Sequence, residues 1–225
     1  MRRPWQQLLF FAFRLLFRRT VQNGLRGVWR RGEMPGGAFV LAANHHSWWD
    51  AYLLPVLLLH LQRDFSVIMT DKRLAEFGFF RFMGGIPASR PRQALSALKR
   101  GEVLLIFPEG ELGPSGSLRP LSEGAVWLAE KAGVPVVPVA TRVVLRGHEF
   151  PEAYVDIGAA IEPDGGRLRQ VLSGMIAEMD VALRAAPAEQ PLAGFISEIR
   201  GRKSTHERMA WWSSALAKLA GARRV

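Results

Sequence analysis

Short apolar runs alternate with segments of helical periodicity along most of this chain, and that alternation narrows its fold more than any other feature. Residues 39–43, 65–69, 103–107, 134–140 and 154–157 read as strands. Residues 51–61, 72–82, 93–99, 122–132 and 168–183 carry helical spacing, and 84–88 is a short extended piece. Strands interleaved with helices argue for an α/β core with a mixed, mostly parallel central sheet flanked by helices. Pro135 and Pro138 point the strand that holds them toward an edge or irregular pairing. A length of 225 residues suits one such domain with appendages. A hydrophobic content of 48% excludes intrinsic disorder. The absence of Cys excludes disulfides, thiolate metal sites and a thiol nucleophile.

The net charge of +10 suggests a polyanionic partner, but it is unevenly distributed. Residues 1–32 hold eight Arg and no acid, and residues 200–225 hold seven basic residues against Glu207. The body, 33–199, is left at about −4. Both ends are also apolar. Trp5, Leu8, Leu9, Ala12, Phe13, Leu16 and Phe17 recur at helical spacing, with Arg14 and Arg18 on another face. Met209, Trp211, Trp212, Leu216, Leu219 and Ala220 alternate with Arg208, Lys218 and Arg223. The N-terminal run is broken by Arg14 and too short to span a bilayer, and it lacks a small-residue cleavage site. Basic amphipathic helices with aromatic edges lie in the headgroup plane of a membrane. The expected organisation is thus a membrane-contact helix over 1–32, an α/β body over 33–199 and a second amphipathic helix over 200–225. An ordinary core-facing helix with a solvated basic face is the competing reading of each end. Nucleic acid is not an expected partner, because no binding module appears.

The segment from Asn44 to Asp50 places a polar knot between a buried strand and a buried helix. Such strand-end loops are where α/β proteins carry their chemistry. In one continuous helix, His45 and Asp50 would lie roughly 140° apart around the axis. They can meet only if His45 stands in the loop and Asp50 in the first turn, with Ser47 as the cap. An ionised Asp50 accepting from one imidazole nitrogen leaves the other as a base for a hydroxyl. His46 and Asp50, four apart, are the competing pair. A capping Ser with two structural histidines is a third reading. Metal binding is not expected from this set. His60, His148 and His206 lack an evident partner in the sequence.

Asn44-His45-x-Ser47-x-x-Asp50 resembles the first signature of the glycerophospholipid acyltransferases, the PlsC-like family. Three further blocks follow in the family's order. The second runs from Lys72-Arg73-Leu74 to Ser89-Arg90, and the third is Phe107-Pro108-Glu109-Gly110. The fourth is the Pro-containing strand Gly133 to Val139. The resemblance implies transfer of a fatty acyl group to a lipid hydroxyl, with acyl-CoA or acyl-carrier protein as donor and no further cofactor. His45 is then the general base and Asp50 its orienting partner, with Asn44 and Ser47 in support. Arg90 binds an anionic acceptor, and Glu109 and Gly110 shape the acceptor side. It implies a peripheral membrane enzyme at the cytoplasmic face, working on membrane lipids.

The third block departs from the family pattern. Glu111 and Leu112 stand where a hydroxyl residue and an Arg are usual, and Leu121-Ser122-Glu123-Gly124 lacks the usual Lys. Losing cations weakens a phosphate site, and added carboxylates repel the ligand. Arg119 is the candidate to compensate. Lysophosphatidic acid and a neutral glycolipid-type hydroxyl therefore both stand as expected acceptors. The rival functions are a non-catalytic lipid-binding protein and a thioesterase.

Overall fold

The computed structural model describes residues 4–210 and 212, with side chains from Leu8 onward. Helix α1 (Pro4–Gly24) leads into strand β1 (Gly27–Arg31). Then come β2 (Val40–Ala43), α2 (Asp50–His60), β3 (Phe65–Met69), α3 (Asp71–Glu76) and a 3-10 helix, Gly78–Met83. They are followed by β4 (Gly85–Pro87), α4 (Pro91–Lys99), β5 (Val103–Ile106) and α5 (Gly124–Ala132). The order closes with β6 (Val136–Val144), β7 (Glu152–Ile157), α6 (Gly165–Ala185) and β8 (Ile196–Arg200).

Eight strands form one sheet in the order β4-β3-β5-β2-β6-β7-β1-β8. The pairs from β4 through β6 are parallel, as is β7 with β1; β6–β7 and β1–β8 are antiparallel. β2 is apolar throughout because both faces of the sheet are covered. Leu41 and Ala43 face α1, α2 and the 3-10 helix, while Val40 and Ala42 face α4 and α5. Helix α6 covers the same side as α4 and α5, packing Leu172, Ile176 and Met179 on Trp29, Ala140 and Tyr154.

Three expectations change. The N-terminal basic segment is not one helix: α1 ends at Gly24, and residues 27–31 enter the sheet between β7 and β8. Arg30 pairs with Glu198 and Arg31 with Asp156, so part of the excess charge is neutralised by the body. The boundary at 32 therefore falls after a core strand. The Pro-containing strand β6 is not an edge strand but lies between β2 and β7, and Pro135 and Pro138 mark the other expected feature, an irregular pairing. The N–H of Val136 bonds to Ile161 on the β7 side, and the ladder with β7 begins at Val139. Pro138 points the same way, into the gap between the two, so the sheet tolerates its missing N–H.

The segment 72–82 splits into α3 and the 3-10 helix at Phe77, whose φ of −114° and ψ of 56° leave the helical region just before Gly78. The C-terminal helix expected over 200–225 is described at 205–210 and Trp212, which are helical. Trp211 and residues 213–225 lie outside the described residues, as do Arg2, Arg3 and the Trp5 side chain.

Helix α1 has two apolar sides. Phe17 and Val21 are buried, and Phe13 stacks on Phe79 and Phe82 at 5.7 and 5.9 Å. On the other side Leu8, Phe11, Leu15 and Leu16 are exposed. The helix seats closely at its end: a Cβ on Gly24 would lie 2.0 Å from the Trp49 ring. Among the described residues, no helix is long and apolar enough to cross a membrane.

Candidate active site

Strand β2 ends at Ala43 and delivers the polar knot to the C-terminal edge of the parallel strands. This is the usual location of ligand crevices in open α/β sheets. His45 stands in the loop, and Asp50 is the first residue of α2. His45 Nδ1 lies 3.1 Å from Asp50 Oδ2. The same oxygen accepts from the backbone N–H of His46 at 3.0 Å and of Ser47 at 2.9 Å. Asp50 is fully buried, and the His45 ring is partly exposed. His45 stacks on Phe107 with ring centroids 4.2 Å apart. Among the described residues its Nε2 has no hydrogen-bond partner, so that nitrogen is available to a ligand.

The competing pair does not form through the imidazole. The His46 ring turns toward Asn44 Nδ2, at 3.0 Å from Nδ1, and toward the Val143 N–H, at 3.3 Å from Nε2. Burial pushes its pKa below the ordinary value, against the pull of Asp50; Arg142 and His45 add to the lowering. Both ring nitrogens face N–H donors; a neutral imidazole can accept from one of them, an imidazolium from neither. Ser47 does not cap α2 directly. Its Oγ accepts from the Trp49 N–H, in the turn before the helix, and Trp49 takes the cap position.

Asn44 bridges strands. Its Oδ1 accepts from the Thr141 N–H at 2.7 Å, and its Nδ2 donates to the Thr141 carbonyl at 3.2 Å. The Thr141 hydroxyl lies 3.1 Å from Asp50 Oδ1. Thr141 comes from the middle of β6, 91 residues after Asp50, and no local pattern in the sequence signals it.

The third block forms a strut beneath the knot. Glu109 is nearly buried. Its Oε1 accepts from the His45 N–H at 2.7 Å, and its Oε2 accepts from the Arg119 N–H and Nε, both at 3.1 Å. Arg119 also donates to the Glu111 carbonyl. Its guanidinium is thus engaged in holding the loop 111–120 together. Gly110 has φ of +78° and lines the adjoining cavity. Buried Arg142 anchors the same loop from the side, donating to the Gly116 carbonyl at 2.8 Å and pairing with Asp180 at 2.6 Å.

A cavity of about 470 Å³ opens against His45. Val67–Thr70 and Leu105–Phe107 line it at the strand ends, with Phe80, Trp127 and Leu128 from the flanking helices. Arg90 does not line this cavity. It is exposed at the N-terminus of α4, between the cavity residues Ala88 and Pro91 on one side and Asp71 and Arg81 on the other. The Ser89 hydroxyl, together with its N–H and Arg90, holds the Asp71 carboxyl below its ordinary pKa. The structure therefore brings together His45, Asp50, Asn44, Ser47, Glu109 and Gly110. Arg119 is joined to them through Glu109, and Arg90 stands apart at the rim. All three histidines read as partnerless have neighbours: His60 faces Glu198 at 3.6 Å, His148 faces Glu207 at 3.8 Å, and His148 and His206 stack on each other.

Residues 22–142 match the family model described as Acyltransferase. The chain is 29% identical over 203 residues to the 1-acyl-sn-glycerol-3-phosphate acyltransferase of Pseudomonas aeruginosa, covering 72% of this chain and 76% of that protein. It is 30% identical over 143 residues to the Bacillus subtilis protein of the same name, covering 58% and 69%. Its fold is similar to the crystal structure of the PlsC acyltransferase from Thermotoga maritima. The TM-score is 0.61 and the identity 20%, over 83% of this chain and 85% of that one. The family match spans more than half of the sequence and contains the whole His45–Asp50 knot, so the chain belongs to the acyltransferase family.

Proposed function

We propose that this acyltransferase moves a fatty acyl group from a thioester donor, acyl-CoA or acyl-carrier protein, to the free hydroxyl of a 1-acylglycerol 3-phosphate. The observation that carries the reading is the His45–Asp50 couple opening onto an apolar cavity of about 470 Å³. His45 Nε2 takes the proton of the acceptor hydroxyl, whose oxygen attacks the thioester carbonyl. Asp50 fixes the tautomer and stabilises the imidazolium that results. The tetrahedral intermediate collapses with cleavage of the C–S bond. The proton held on His45 goes to the departing thiolate. The thioester is already activated, so no acyl-enzyme is required.

The cavity takes the acyl chain, since its strand-end and helix residues are almost all apolar. Arg90 at the rim is the group offered to the acceptor phosphate. The exposed face of α1, with Leu8, Phe11, Leu15 and Leu16 beside Arg14, Arg18 and Arg19, lies against an anionic bilayer.

A neutral hydroxyl acceptor is the second reading. It is favoured by Arg119, which is engaged with Glu109 and Glu111, and by the second acid that Glu111 adds to the loop. Incubation with an acyl thioester and an equimolar mixture of 1-acylglycerol 3-phosphate and a neutral glycolipid decides between them. Preferential formation of the diacylglycerol phosphate supports the first reading. Acylation of the neutral lipid alone refutes it.

A further inference from the structure

We infer that Thr141 is a positioning residue for the acyl transfer, holding the Asp50 carboxylate from behind through its hydroxyl. The inference rests on the His45–Asp50 reading and adds a third member to it from a distant strand. The two oxygens of Asp50 have divided roles. Oδ2 faces His45 Nδ1 and the N–H groups of His46 and Ser47. Among the described residues, Oδ1 receives a hydrogen bond only from the Thr141 hydroxyl, at 3.1 Å.

The hydroxyl has one hydrogen and two nearby acceptors. The Asn44 carbonyl oxygen is 3.4 Å away and already takes the Thr141 N–H at 2.7 Å. The charged oxygen is nearer, and a charge-assisted bond is the stronger one, so the hydrogen goes to Asp50. Thr141 and Asp50 are both fully buried, so water cannot replace the hydroxyl. The bond also fixes the plane of the carboxylate. Rotation about the bond to the carboxyl carbon would exchange Oδ1 for Oδ2 and swing the acceptor away from His45.

The backbone of Thr141 is held as firmly as its side chain. Asn44 clamps both its N–H and its carbonyl, and the Arg142 guanidinium donates to that carbonyl at 3.2 Å. β6 is paired on both sides, with β2 at Val136–Val139 and with β7 from Val139 on. The hydroxyl is thus presented from a rigid element, while His45 stands in a loop.

The test compares Thr141→Val, Thr141→Ala and Thr141→Ser in the full-length protein, with His45→Ala and Asp50→Asn as references. Loss of a hydrogen bond to a buried charge predicts a fall in kcat of about 10- to 100-fold for Val and Ala, with KM for the acyl thioester unchanged. Ser keeps the hydroxyl and stays within about threefold of the parent. With the plane of its carboxylate no longer fixed, Asp50 holds the imidazolium less strongly. The acidic limb of kcat/KM in the Val and Ala variants therefore moves to lower pH. Should Val fail to fold, the Ala–Ser comparison decides. Equal losses in Ser and Ala, or an unmoved acidic limb, would assign Thr141 to packing and overturn the inference. Full activity in His45→Ala and Asp50→Asn would instead refute the underlying couple.

Discussion

The two adjacent histidines of the knot show how neighbouring residues of one type acquire different roles. His45 keeps one nitrogen on Asp50 and the other at the cavity, while His46 turns inward against Asn44 and Val143. The spacing in the sequence allowed either histidine to pair with Asp50. The backbone decides it, because Asp50 takes the N–H of His46 and leaves its ring elsewhere. His46 also carries a prediction. Its pKa is lowered in the folded protein, so above the unfolded value of about 6.5 neither state binds the proton. Below about 6.5 the unfolded chain binds it and the folded one resists. Stability therefore falls as pH drops, by at most about 1.4 kcal/mol per pH unit from this group, until the folded pKa is reached. Denaturant unfolding at pH 7.5 and pH 5.0 should show a smaller pH difference in His46→Gln than in the parent. An identical difference would remove His46 as the source.

At the scale of elements, α1 works as a wedge with two apolar faces. Its inner face meets the aromatic cluster of Tyr52, Phe79 and Phe80 through Phe17. Phe17→Ala should cost about 3–5 kcal/mol of stability, the range for a buried aromatic, and the measured unfolding free energy checks it. On its outer face Leu8, Phe11, Leu15 and Leu16 are exposed, with Phe11 and Leu15 at a groove beside Val56 and Leu59 of α2. Leu8→Asp with Phe11→Asp should leave the melting temperature within a few degrees of the parent and release the protein from anionic vesicles. Undiminished co-sedimentation with the vesicles would contradict the proposed contact of α1 with the bilayer.

The elements legible in the sequence were those with apolar runs covered on both sides, such as β3 and β5. β1 and β8 were not, because Arg30, Arg31 and Glu198 interrupt the apolar pattern, and the acids that pair Arg30 and Arg31 across the sheet, Glu198 and Asp156, lie more than a hundred residues away. The aromatic stretch after Phe77 keeps helical spacing but tightens into a 3-10 turn, which spacing alone does not reveal.

Across the molecule, the couple, the strut and the cavity are assembled at one edge of the sheet from loops that follow β2 and β5, with β6 behind them. The first and third blocks could be read locally, because each is a short contiguous motif. Their connection could not: Glu109 bonds the backbone of His45 across 64 residues, and Thr141 reaches Asp50 across 91. The +10 charge also changes meaning at this scale. Arg26, Arg30 and Arg31 are paired with acids, so among the described residues the cations offered outward at this end are those of α1. The central claim is direct transfer from thioester to hydroxyl with His45 as the base. It is tested by following thiol release and acylated lipid together, with and without an alcohol acceptor, in the parent and in His45→Gln. The predicted result is acceptor-dependent thiol release matched one to one by lipid product in the parent. In His45→Gln both should fall by at least about a thousandfold while the protein stays folded. Thiol release that proceeds equally without acceptor, or near-parental turnover by a folded His45→Gln, would contradict it.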